Sequence, residues 1–83
     1  MDWYVYIIRS QSGEWLYTGI AIDPDKRLHQ HNHTKKGARF TKRDRPWSIV
    51  HLEGPLSHTE ALRRERDIKK LSRQAKEELV KST

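Results

Sequence analysis

The sequence predicts an α/β (α+β) domain: a small three-stranded antiparallel sheet flanked by helices, in the order β-β-α-β-α-α. Three observations carry the expectation. Two β-branched and aromatic runs, residues 3–9 and 15–20, enclose the polar stretch SQSGE, the pattern of an antiparallel hairpin. A third such run begins at Trp47. Two segments open with helix-start chemistry, Asp23-Pro24 and Ser57-His58-Thr59-Glu60, the second with the spacing of a capping box.

In the hairpin, side chains alternate between faces, so the pairing register decides which tyrosines meet. With Ser12 and Gly13 as a two-residue turn, Gln11 faces Glu14, Ile8 faces Tyr17 and Tyr6 faces Gly19. Tyr6 and Tyr17 then lie diagonally on one face, roughly 7–8 Å apart, and Gly19 leaves space opposite Tyr6. The pair reads either as half-buried packing with hydroxyls at the surface or as two groups reaching one ligand.

The first helix opens behind Asp23 and runs to about Gln30. Arg27 and His31 are four apart and share a face of it or of its end. That pairing suits phosphate, because Arg presents a fixed fork of donors and His moves protons near neutral pH; a plain solvated helix face has the same pattern. His29, His31 and His33 alternate in HQHNH, but this spacing does not match a helix-borne zinc pair with a distant third ligand, and zinc is disfavoured.

Residues 32–46, NHTKKGARFTKRDRP, have almost no apolar content and read as a loop. Lys35, Lys36, Arg39, Lys42, Arg43 and Arg45 stand there against Asp44 alone, a density that favours phosphate contact over a merely solvated surface. Phe40 in their midst either stacks on a base or anchors the loop inward.

The third strand, Trp47 through Glu53, is expected to stop at Gly54 and Pro55. The capping box then launches a helix with apolar Ala61, Leu62, Ile68 and Leu71, and a last short helix is expected from Ser72 to about Val80. Glu65 shares the core-facing stripe with Ala61 and Ile68. A carboxylate there needs a partner, either a hard divalent cation such as Mg²⁺ or an arginine at the edge of the core.

Composition narrows the function classes. A chain of 83 residues is a single domain, 1–83, and buries only about 60% of its unfolded surface. Seventeen Lys plus Arg against eleven Asp plus Glu give a net charge of +6, the signature of a polyanionic partner, nucleic acid foremost. The absence of Cys excludes disulfide frameworks and thiolate zinc sites. No apolar run approaches the ~18 residues of a membrane span, and the N-terminus lacks a signal-peptide layout, so a cytoplasmic location without a membrane partner is expected.

Taken in order, YVY at 4–6, YTG at 17–19, Arg27, His31 and Glu65 resemble the GIY-YIG nuclease superfamily over a core of about residues 2–76. ALRRE and IKKLS are similar to phrases in its small single-domain bacterial members. The resemblance implies a metal-dependent endonuclease that hydrolyses DNA phosphodiester bonds, branched or damaged DNA and a specificity-supplying protein partner being among the expectations. It implies catalytic roles for Tyr6, Tyr17, Arg27 and His31, with Glu65 holding Mg²⁺ or Mn²⁺. Tyr17 would activate the attacking water and Tyr6 position it, with His31 as the other base or the end of a relay. Lys35, Lys36, Arg39, Lys42 and Arg43 are the residues expected to meet the nucleic acid.

The sequence departs from the family pattern at Tyr4, where the name motif has Gly, at Thr18, where it has Ile, and in lacking an Asn after Glu65. A catalytically weak or inactive nucleic-acid-binding module on the same fold is the alternative. The two share the basic loop and differ in divalent-metal binding.

Overall fold

The structure, a computed structural model, describes residues 1–82. Strands β1 (Trp3–Arg9) and β2 (Leu16–Ala21) are followed by helix α1 (Pro24–His33), a 3₁₀ turn at Arg39–Lys42, strand β3 (Ser48–Leu56) and helices α2 (His58–Lys69) and α3 (Arg73–Lys81). The sheet is ordered β2-β1-β3 with both pairings antiparallel. The expected element order and fold class are those observed.

As the central strand, β1 is covered on both faces, which is why Val5 to Ile8 reads as an unbroken apolar run. Alternation splits that run between two cores. Val5 and Ile7 pack with Ala61 and Ile68 of α2 and with Leu79 and Val80 of α3. Tyr6 and Ile8 pack on the other face with Ala21 and Trp47, against Leu28 and Phe40.

The hairpin pairs Tyr6 with Gly19 and Ile8 with Tyr17, the expected register. Its turn is wider than expected. Ser10 N–H bonds the Trp15 carbonyl at 3.0 Å and Gly13 N–H bonds the Ser10 carbonyl at 2.9 Å, so residues 11–14 form the connection, with Gly13 at φ 80°. Asp44 holds that connection from outside by accepting from the Ser12 backbone N–H and hydroxyl.

Three boundaries differ from the expectation. Helix α1 continues past Gln30 to His33 because its buried stripe includes a polar residue, His31, which hydropathy does not register. The segment 32–46 is partly ordered as the 3₁₀ turn, with Thr41 fully buried. Strand β3 runs on through Gly54 and Pro55 to Leu56. It is an edge strand, where proline's missing N–H is tolerated, and a register shift opposite Tyr4 accommodates the pair. Gly54 has φ 142°, and a Cβ there would stand 2.6 Å from the Tyr4 ring, so both conformation and space call for glycine.

The capping box forms as read: Ser57 N–H bonds Glu60 Oε1 at 3.0 Å and Glu60 N–H bonds Ser57 Oγ at 3.1 Å. Helix α2 buries Ala61 and Ile68, whereas Leu62 and Leu71, expected on the same stripe, are exposed. Helix α3 is pinned to the hairpin by two arginines. Arg73 donates to the carbonyls of Gly13 and Glu14, and Arg9 donates twice to the Glu77 carboxylate.

Candidate active site

Tyr6 projects from β1 over Gly19, and a Cβ at Gly19 would lie 2.6 Å from Tyr6 Cζ. The glycine therefore makes room for the ring. Tyr6 is 2% exposed, and its hydroxyl lies 2.8 Å from His31 Nε2, supplied by the last turn of α1, with Arg27 as a further partner. On its other side, His31 Nδ1 lies 2.7 Å from Thr41 Oγ1, whose hydroxyl bonds the Ala38 carbonyl at 2.8 Å.

One proton arrangement satisfies all three short contacts. Tyr6 O–H donates to Nε2, Nδ1–H donates to Thr41, and Thr41 donates to Ala38. The opposite tautomer would use the longer, 3.3 Å approach of the Ala38 N–H to Nδ1, but would leave two lone pairs facing each other across one of the short contacts. Tyr6 is thus a phenol donor and His31 a neutral imidazole.

Ionisation agrees with that assignment. Burial foremost, then the neighbouring Tyr17, pushes the Tyr6 phenol up to about 12, with Arg27 acting against them and Glu65 adding to them. Burial, followed by the positive charges of Arg27 and Arg45, brings His31 down to about 4. Tyr17, Arg27 and Glu65 all lie close enough to influence the Tyr6 hydroxyl.

Arg27 and His31 share a face of α1 as expected, with His31 fully buried and Arg27 half-buried. The Arg27 guanidinium is steadied through Nη1, which donates to Gln30 Oε1 and to the Lys36 carbonyl, each at 2.8 Å. The guanidinium also meets the Tyr6 hydroxyl. His31 is placed differently from the expectation of a base at the water: it is fully buried behind Tyr6, with its ring edge-on to Tyr17 at 5.3 Å between centroids.

Tyr17 faces a cleft of about 250 Å³ on β2, one edge of the sheet. Leu16, Thr18 and Phe40 line it with Tyr17, and Lys69 and Lys76 enter from α2 and α3. Phe40 is an anchor, packed edge-on to Trp15 at 5.6 Å, roughly parallel to Tyr17 at 6.2 Å and tilted on Trp47 at 6.0 Å.

Glu65 lies on the stripe between Ala61 and Ile68, its side chain 20% exposed. Its partner is not the arginine considered above but Lys69, one turn later, with Nζ 3.3 Å from Oε2. A hard divalent cation takes one or two carboxylates and completes its shell with water and phosphate oxygens. Glu65 fits that demand, being partly exposed and tied by a single ammonium contact. Among the described residues no group of three or more His, Cys, Asp or Glu is gathered for a metal. His29 and His33 stack on each other at 4.7 Å while His31 turns inward.

Of the basic loop, Lys35, Lys36, Arg39, Lys42 and Arg43 are exposed. Arg43 lies over the Phe40 ring at 4.7 Å and over Trp15 at 5.5 Å. Arg45 turns inward, donates to the Thr34 carbonyl at 3.0 Å and buries its Nε without a partner. Asn32 exchanges two bonds with the Trp47 backbone, a brace between α1 and the start of β3.

Sequence reasoning missed Thr41, Lys69 and Lys76. Thr41 carries no signal within a charged segment, but the i,i+4 spacing of Glu65 and Lys69 was readable.

The family model described as the GIY-YIG catalytic domain matches residues 2–78. The chain belongs to the GIY-YIG family. It is 47% identical over 78 residues to a UPF0213 protein of Syntrophus aciditrophicus, covering 94% of this chain and 88% of that one. It is 44% identical over 77 residues to a UPF0213 protein of Staphylococcus saprophyticus, covering 93% and 92%. The solution NMR structure of a UPF0213 protein from Bacillus halodurans is similar at a TM-score of 0.63 and 38% identity, over 100% of this chain and 86% of that one. Of the two positions that depart from the family's name motif, Thr18 lines the cleft and Tyr4 does not. Tyr4 covers Gly54, and Thr18 is buried beside Tyr17 in the wall of the cleft.

Proposed function

We propose that this GIY-YIG protein is a divalent-metal-dependent endonuclease that hydrolyses phosphodiester bonds in DNA. The observation that carries the reading is the convergence on one buried phenol: Tyr6 is bonded to His31 and feels Tyr17, Arg27 and Glu65. Beside that bonded pair stands Tyr17, its ring edge-on to His31 at 5.3 Å between centroids, next to a loop dense in positive charge.

Arg27, held through one nitrogen, directs its other donors at the non-bridging oxygens of the scissile phosphate and stabilises the charge that grows there. Tyr17 faces the cleft and acts as the phenolate, taking the proton of the attacking water to become the phenol. Tyr6 stays protonated and fixes the orientation of Tyr17 and the water, while His31 and Thr41 hold Tyr6. Glu65 would hold Mg²⁺ or Mn²⁺, which when bound polarises a phosphate oxygen and neutralises the leaving oxygen. Lys35, Lys36, Arg39, Lys42 and Arg43 bind the flanking backbone.

The test is cleavage of branched, flapped and nicked DNA with Mg²⁺ or Mn²⁺. Activity is expected to require the metal and to vanish in Glu65→Ala. Full-rate cleavage by that variant would refute the assignment. The alternative, a binding module without catalysis, is favoured by one observation, the Lys69 ammonium already on Glu65. DNA binding without cleavage under any divalent metal would establish it.

A further inference from the structure

We propose that Lys69 is a switching residue: it holds the Glu65 carboxylate until a divalent cation takes it, and then turns with Lys76 to the anionic backbone in the cleft. The inference rests on the reading of Glu65 as the metal-holding residue.

Lys69 stands between two anionic sites. Its Nζ is 3.3 Å from Glu65 Oε2, and the same side chain forms part of the wall of the cleft that Tyr17 faces. Lys76 enters that cleft from α3 and makes no ion pair among the described residues. The two ammonium groups therefore flank the position of a phosphate beside Tyr17.

Helix α2 offers an internal comparison. Arg64 grips Glu53 with two bonds, 2.7 and 3.0 Å, in a fork that also includes His51 on the same carboxylate. That is a fixed brace between α2 and β3. Lys69, by contrast, makes one contact through a flexible stem, and its side chain is 51% exposed. A compact, hydrated ammonium with no fork geometry exchanges partners readily.

A divalent cation and an ammonium cannot both sit on one carboxylate without strong like-charge repulsion. Cation and Lys69 therefore compete for Glu65, and release of Lys69 adds a positive charge to the cleft when the cation arrives. By linkage, metal and DNA then tighten each other's binding. The resting ion pair keeps the Glu65 carboxylate neutralised while the cleft is empty of both.

The experiment measures Mn²⁺ affinity of the full chain by calorimetry without DNA, and DNA affinity separately in the absence of divalent metal and with it. Lys69→Gln is expected to bind Mn²⁺ about twofold to fivefold more tightly than wild type, the range an exposed ion pair supports. The gain should disappear in the Glu65→Gln, Lys69→Gln double variant. Metal should tighten DNA binding in wild type and tighten it less in Lys69→Gln. Lys76→Gln should weaken DNA binding and leave Mn²⁺ affinity unchanged. Wild type that binds Mn²⁺ no more weakly than Lys69→Gln overturns the switch and leaves the Glu65 reading standing. Mn²⁺ binding by neither protein overturns both.

Discussion

The Tyr6 hydroxyl donates to His31 Nε2 across 2.8 Å, and both groups are shut off from solvent. A phenol raised to about 12 and an imidazole lowered to about 4 form a pair that stays neutral across physiological pH. The pair is a support for the cleft, and the half-buried phenol in front of it is Tyr17.

The two tyrosines should therefore separate experimentally. Tyr6→Phe leaves His31 Nε2 buried without its donor and is expected to cost about 1–3 kcal/mol of stability as well as activity. Tyr17→Phe is expected to leave stability within about 0.5 kcal/mol and to lower the cleavage rate by about 10²-fold or more. Urea denaturation and single-turnover cleavage on both variants check the contrast. Equal stability losses would refute it.

Gly19→Ala places a Cβ 2.6 Å from Tyr6 Cζ, so the ring must move and the bond to His31 with it. The expected cost is about 1–3 kcal/mol, the range for overpacking a filled interior. A chemical-denaturation midpoint unchanged from wild type would show that the close approach does not constrain Tyr6.

His31 gives a pH signature. Its folded value of about 4 lies below the ordinary 6.5, so the unfolded chain binds the extra proton between those values. Stability from this group is complete above about pH 6.5 and falls as pH drops towards 4, by an amount on the order of 2–3 kcal/mol. Below that window the depressed carboxylates take over: Glu77, held down to about 2 chiefly by Arg9 and then Arg73, contributes above the ordinary carboxylate range and loses its contribution as pH falls further. Thermal midpoints at pH 7 and 5 for wild type and His31→Gln test this, the variant being expected to lose most of the difference.

The exposed loop cations predict salt-dependent DNA affinity. With roughly four to six phosphate contacts, log affinity against log salt on duplex DNA should have a slope of about −4 to −5, and each single alanine substitution at Lys35, Lys36, Arg39 or Lys42 should reduce its size by about 1. A flat response would remove nucleic acid as the partner.

The sequence made the hairpin register legible because strand alternation and Gly19 together allow one pairing that puts Tyr6 over open space. The start of α2 was legible because its cap is local chemistry between Ser57 and Glu60. Features set by tertiary context were not. Strand β3 passes through Gly54 and Pro55 only because it is an edge. Helix α1 reaches His33 because a histidine, not an apolar residue, fills its buried side. Thr41 matters through a bond to His31 that no spacing foretells, and Arg45 left the basic surface to brace Thr34. Of the candidate site, Tyr6 and Tyr17 both meet His31, which stands behind them as a buried support rather than at the water.

The most direct test of the account is the single-turnover cleavage rate of Arg27→Ala with saturating protein and Mn²⁺. The expected result is a fall of about 10²–10³-fold, the loss for removing a charge-stabilising donor, with DNA affinity and thermal midpoint close to wild type. Cleavage by that variant at the wild-type rate would contradict the account.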